Sequence, residues 1–155
     1  MCAKHKCDVL LMQETHRGPT SPKPNIPGMK LIIERPHEKY GSAVFARPDL
    51  NISSAALTEL NNVEILTVRT SNFSVTSVYK PPGGKFVFTE PDNFDYSNTN
   101  FILGDFNCHG TAWGYRDTDE DGRQLELWAD QGRLQLIHDA KLPPLIQQCQ
   151  MEEGL

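Results

Sequence analysis

Nowhere does this sequence hold an apolar run approaching the ~18 residues of a membrane span, and its amino terminus lacks the apolar stretch of a secretory signal. The expectation is a soluble intracellular chain, in the nucleus or cytoplasm. Cysteine is scarce. Cys2, Cys7, Cys108 and Cys149 form no Cys-x-x-Cys pair and have no histidine at zinc-ligand spacing, which argues against structural zinc and for free thiols in a reducing compartment. Positive charge is also short, with 15 Lys and Arg against 20 Asp and Glu and a net charge of −5. The field of the whole molecule therefore repels a polyanion, so nucleic-acid binding would have to come from a local basic patch or a bound cation. Internal repeats and low-complexity segments are missing too, which excludes solenoids and arrays.

What is present suits a globular, somewhat loop-rich chain. The 155 residues are 38% hydrophobic and 23% charged, with 11 prolines and 11 glycines. That is enough for one domain with a real core and not comfortably for two, so residues 1–155 read as a single domain. Four prolines between Arg17 and Gly28 mark a loop. Strands are expected over Met29 to Arg35, Ser42 to Arg47, Asn51 to Leu57, Val63 to Thr70 and Phe73 to Tyr79, with Ser71-Asn72 as a link of hairpin length. Consecutive short strands of this kind suggest an antiparallel meander. Lys85 to Asn100 is read as a short or frayed helix, against the evidence of Pro91. A helix capped by Asp119 or Asp121 should run to about Gln131 and stop at Gly132, and Leu134 to His138 is read as a last strand.

Two stretches carry the chemistry. Phe101-Ile102-Leu103 reads as a buried strand ended by a turn at Gly104, so that Asp105 and Asn107 project from its carboxyl end. The second stretch, Cys7-Asp8-Val9-Leu10-Leu11-Met12, delivers Gln13, Glu14 and His16 in the same way. Two strand tips, each bearing a carboxylate, can form a site for a hard cation such as Mg²⁺, which needs only one or two protein carboxylates. Glu14 is the candidate metal ligand; a solvated loop acid is the plain alternative. Asp105 follows the same logic, against an Asp turn that closes its own loop. Tyr79 shares a strand face with Phe73, Val75 and Ser77, where a core tyrosine with a satisfied hydroxyl is equally consistent. His16 reads first as a surface histidine.

Gln13-Glu14-Thr15-His16, Ser77-Val78-Tyr79-Lys80-Pro81-Pro82 and Gly104-Asp105-Phe106-Asn107 together resemble three ordered motifs of the exonuclease/endonuclease/phosphatase superfamily. Asn107-Cys108-His109, followed by Trp113-Gly114, Gly122-Arg123 and Leu125, is most similar to the endonuclease domain of jockey-type non-LTR retrotransposons. The resemblance implies an α/β sandwich of two packed sheets, truncated at both ends, and Mg²⁺-dependent hydrolysis of DNA phosphodiesters. It further implies that Glu14 and Asp105 bind Mg²⁺, that Asp105 orients or deprotonates the attacking water, and that Asn107 holds a phosphate oxygen or that water. By the same resemblance Tyr79 stands where the family places a Tyr or His next to the scissile phosphate, and His109 either approaches phosphate or braces its loop. A polymerase is expected further along the full polypeptide. The sequence departs from the family in two places: no first strand bearing an Asn precedes Cys7, and no Ser-Asp-His follows Asn107. Because catalytic groups that act as a unit are not additive, losing that pair could remove nearly all turnover. A non-catalytic remnant or interaction module, and a small-molecule phosphatase, are the competing readings.

Overall fold

Seven strands and one α-helix form within residues 7–137, the part of the chain that this computed structural model describes. The strands are β1 (Val9–Gln13), β2 (Lys30–Arg35), β3 (Ser42–Ala46), β4 (Ser54–Leu60), β5 (Val63–Arg69), β6 (Phe73–Tyr79) and β7 (Thr99–Asp105), and the helix α1 is Glu120–Gln131. The chain divides into two compact units, Met1–Asn107 and Cys108–Leu155. All seven strands belong to the first unit, and α1 belongs to the second.

The first unit is a sandwich of two sheets. One sheet has the order β1-β3-β2, antiparallel throughout, and the other has the order β4-β5-β6-β7. The expected meander is therefore split, with β2 and β3 in one sheet and β4 to β6 in the other. Val44, Leu66 and Val68, all fully buried, form the centre of the layer between the sheets, with Val9, Leu11, Ile32, Ile33 and Ile52 packed around them. Burial of such a side chain contributes about 1.5–3 kcal/mol, so this layer is what holds the two sheets face to face.

Three expected element positions are corrected. β4 lies three residues later than Asn51 to Leu57, because its hairpin with β5 is closed by Asn61 and Asn62, both left-handed at φ 53° and 64°. Two asparagines in that conformation make the tight primed turn that matches strand twist, and the turn fixes Leu60 opposite Val63. Residues 85–98 form no helix; turns closed by Pro81, Pro91 and Asp95 carbonyls carry the chain from β6 to β7 instead. Residues 134–137 form no strand, and His138 lies outside the described residues, as do Cys2 and Cys149.

β7 runs parallel to β6, with Val78 opposite Gly104 and Tyr79 opposite Asp105. Gly104 does not turn the chain there, as the sequence suggested; it lies inside the strand. A β-carbon on it would fall 1.8 Å from the Val78 carbonyl oxygen, so glycine is required by the close approach of another backbone.

In the second unit, Asp119 caps α1 by accepting from the Gly122 N–H at 2.7 Å, as expected. Gly132 follows the helix in a right-handed conformation, and Arg133 is the left-handed residue at φ 52°.

Candidate active site

Strand alternation and the β6–β7 register bring four of the sequence candidates to one end of the first unit. Glu14 follows β1 directly, Tyr79 ends β6, Asp105 ends β7, and Asn107 lies two residues on. The Tyr79 hydroxyl donates to Glu14 Oε1 at 2.7 Å, which ties the tip of β1 to the tip of β6. Tyr79 is only 1% exposed, whereas Glu14 is open to solvent. Burial, then the hydrogen bond and charge of Glu14, then the charges of Asp105 and Glu64 push the Tyr79 phenol far above its ordinary range. It therefore remains a protonated donor at any physiological pH.

Asp105 is also raised from the usual carboxylate range, first by burial and further by the negative charge of Glu14. Hydrogen bonding from Asn107 and the positive charge of Lys80 act in the opposite direction. The Asn107 N–H donates to Asp105 Oδ1 at 3.0 Å.

Glu14, His16 and Asn107 all adopt left-handed backbone, at φ 51°, 50° and 42°. Such residues cost about 1–3 kcal/mol each and persist where the surroundings over-determine them. The surroundings are visible in both loops. Thr15 N–H donates to the Gly41 carbonyl at 3.1 Å and His16 N–H to the Tyr40 carbonyl at 2.8 Å. The Gly41 N–H in turn donates to Glu64 at 3.1 Å, and Ser42 Oγ bonds the same carboxylate. Glu64 is fully buried and paired with Arg35 at 2.9 Å, so a buried ion pair anchors the segment on which the Glu14 loop rests. On the other side, Lys80 and Asn107 clamp each other: Lys80 Nζ donates to the Asn107 carbonyl at 3.0 Å, and Asn107 Nδ2 donates to the Lys80 carbonyl at 2.8 Å. Lys80 is 1% exposed.

His109, the fifth candidate, belongs to the second unit. It is exposed, its ring stacks on Tyr115 at 4.3 Å, and its backbone N–H donates to Asp119 Oδ2 at 3.0 Å. Trp113 donates its indole N–H to the Cys108 carbonyl at 3.2 Å, and Cys108 is buried. These contacts brace the loop. Among the described residues no group of three or more His, Cys, Asp and Glu could hold a metal ion. The carboxylates of exposed Glu14 and half-buried Asp105 are oxygen donors of the kind that hard divalent cations take.

Sequence reasoning gave no role to Gln13, Arg35, Glu64 or Lys80. A usable signal existed for Glu64, a charged residue alternating with Leu66 and Val68 on what has to be the inner face of a strand.

With this geometry in hand, comparison with known proteins defines the class. The chain belongs to the Endonuclease/Exonuclease/phosphatase family, whose sequence profile matches residues 1–146. Endonucleases of this family generally use divalent metal ions. Among solved structures, the chain is similar to the endonuclease domain of TRAS1, a telomere-specific non-LTR retrotransposon, with a TM-score of 0.55 and 18% identity. That match covers 92% of this chain and 66% of the other, so this chain spans just under two thirds of that domain's length. At this identity the likeness establishes the fold, the two-sheet α/β sandwich expected from the motifs. No curated protein matches the chain.

Proposed function

We propose that this chain is the endonuclease part of a non-LTR retrotransposon polypeptide and hydrolyses DNA phosphodiesters with Mg²⁺ held by Glu14 and Asp105. The observation that carries the reading is the Tyr79 hydroxyl on the Glu14 carboxylate, with Asp105 at the adjacent strand tip. When bound, Mg²⁺ neutralises charge on the phosphate and on the leaving oxygen. Asp105 orients the attacking water and receives its proton. Asn107, with one amide N–H committed to Lys80, offers its second N–H to a phosphate oxygen. Tyr79 stays protonated, fixes Glu14 and flanks the scissile phosphate. His109 braces the 108–119 loop, with its ring on Tyr115 and its N–H on Asp119. The nick exposes a 3′ end, and a polymerase elsewhere in the same polypeptide extends it. The retrotransposon neighbour and the three ordered motifs support DNA as substrate over a small phosphorylated molecule.

Nicking of supercoiled plasmid tests the reading. Because no Ser-Asp-His follows Asn107, the 155-residue chain alone should nick slowly, with Mg²⁺ required and EDTA inhibitory. Asp105→Ala should abolish the reaction. Nicking that survives Asp105→Ala, or a chain with neither nicking nor saturable divalent binding, would overturn the proposal.

A further inference from the structure

Along β1 the side chains of Val9 and Leu11 enter the layer between the sheets, where they pack against Val44, Leu66 and Val68. Alternation sends Gln13 the same way, so an amide stands where the pattern calls for one more apolar residue. Its bonding explains why. Nε2 donates to the Val78 carbonyl at 2.8 Å and to Ser77 Oγ at 3.1 Å, while Oε1 accepts from the Asp105 N–H at 3.1 Å. One side chain from the first sheet thus bonds two strands of the second. Each bond lands on or beside a residue of the candidate site: Asp105 itself, and Val78 and Ser77 just before Tyr79. Glu14 is the next residue after Gln13.

We infer that Gln13 is a positioning residue that sets how far apart the Glu14 and Asp105 carboxylates stand, and thereby the affinity of the site for a divalent cation. The inference rests on the metal reading given above. Only an uncharged amide serves here, because the site needs two donors facing Val78 and Ser77 and one acceptor facing the Asp105 N–H. A carboxylate would face the Val78 carbonyl with no proton to donate, and methionine of similar length would lose all three of these side-chain bonds. Residues that orient metal ligands without touching the ion typically change affinity by about 10- to 100-fold when removed. If Gln13 served the packing of the sheets alone, its loss would lower stability and leave the affinity of the folded protein unchanged.

The test is a Mn²⁺ titration of the full chain by electron paramagnetic resonance, with thermal melts of each variant. Gln13→Met should weaken Mn²⁺ binding by about 10- to 100-fold. Thr67→Val, which breaks the buried Thr67–Thr76 hydroxyl pair within the same sheet, should lower the melting temperature without changing Mn²⁺ affinity. Gln13→Met binding Mn²⁺ as tightly as the wild type, while Glu14→Gln abolishes binding, would overturn the inference and leave the metal reading intact. Wild-type protein without saturable Mn²⁺ binding, or binding that survives Glu14→Gln, would overturn both. Should Gln13→Met fail to fold, the wild type still decides by NMR. The Gln13 side-chain amide and the Asp105 backbone amide should shift with one common midpoint on Mg²⁺ addition, and an unmoved Gln13 signal refutes the positioning role.

Discussion

Tyr79 shows how a single residue can be a core group and a site group together. Its ring is buried, while its hydroxyl reaches Glu14 at 2.7 Å, so the plain reading of a satisfied core tyrosine and the functional one describe the same atoms. Tyr79→Phe keeps the ring and removes the donor. It should cost about 0.5–1.5 kcal/mol of stability, the worth of one hydrogen bond. With Glu14 as the proposed metal ligand, kcat for plasmid nicking should fall about 10- to 100-fold, on the scale of a lost partner to a metal ligand. Steady-state kinetics and a denaturant melt on the same protein separate the two effects. Lys80 makes a related point: a buried cation is held here because its ammonium bonds the Asn107 carbonyl and its charge offsets that of Asp105.

At the scale of elements, the parallel pairing of β6 with β7 governs the site. It places Tyr79 opposite Asp105, and it is possible only because residue 104 has no side chain. Gly104→Ala would drive a methyl group into the Val78 carbonyl, and neither backbone can yield without parting the two strands. Overpacking of side chains costs about 1–3 kcal/mol, and a collision with backbone should reach or exceed the top of that range. Urea unfolding of the Gly104→Ala variant should therefore show at least that loss. The Asp105 N–H, bonded to Gln13 in the wild type, should exchange faster with deuterium as β7 moves away.

For the whole molecule, the apolar surface that stays uncovered matters most. Phe101 and Leu103 are each 51% exposed on β7, and among the described residues β7 and β1 are the edge strands of their sheets. Open edges beside exposed apolar side chains are templates for association between chains. This chain alone is expected to self-associate at micromolar concentration, as read by light scattering after size exclusion. Phe101→Lys combined with Leu103→Lys should shift it toward monomer. A monodisperse wild-type monomer with a sharp two-state melt would refute the expectation. The net charge of −5 leaves no general attraction to DNA, so binding should depend on divalent cation more steeply than on the monovalent salt that weakens basic DNA binders.

The sequence by itself determined the strands that read as short runs of β-forming residues between turn residues, β2, β3, β5 and β6, along with the cap of α1 at Asp119. It also determined which residues end up at strand tips, because Glu14 and Asp105 each stand two residues beyond an apolar run. Local chemistry was enough for these. Tertiary structure decided the rest. The displaced β4 follows from a turn that had to match the twist of β5, and residues 134–137 form no strand. Gln13, Glu64 and Lys80 acquired their roles only when residues far apart in sequence were paired: Gln13 meets Val78 across the sheets, Glu64 meets Arg35 and Gly41, and Lys80 meets Asn107. A lone polar residue in an apolar stretch says that a partner must exist, since burial without one is costly. Which partner it is depends on strand order and register, and those are set by packing the whole sandwich.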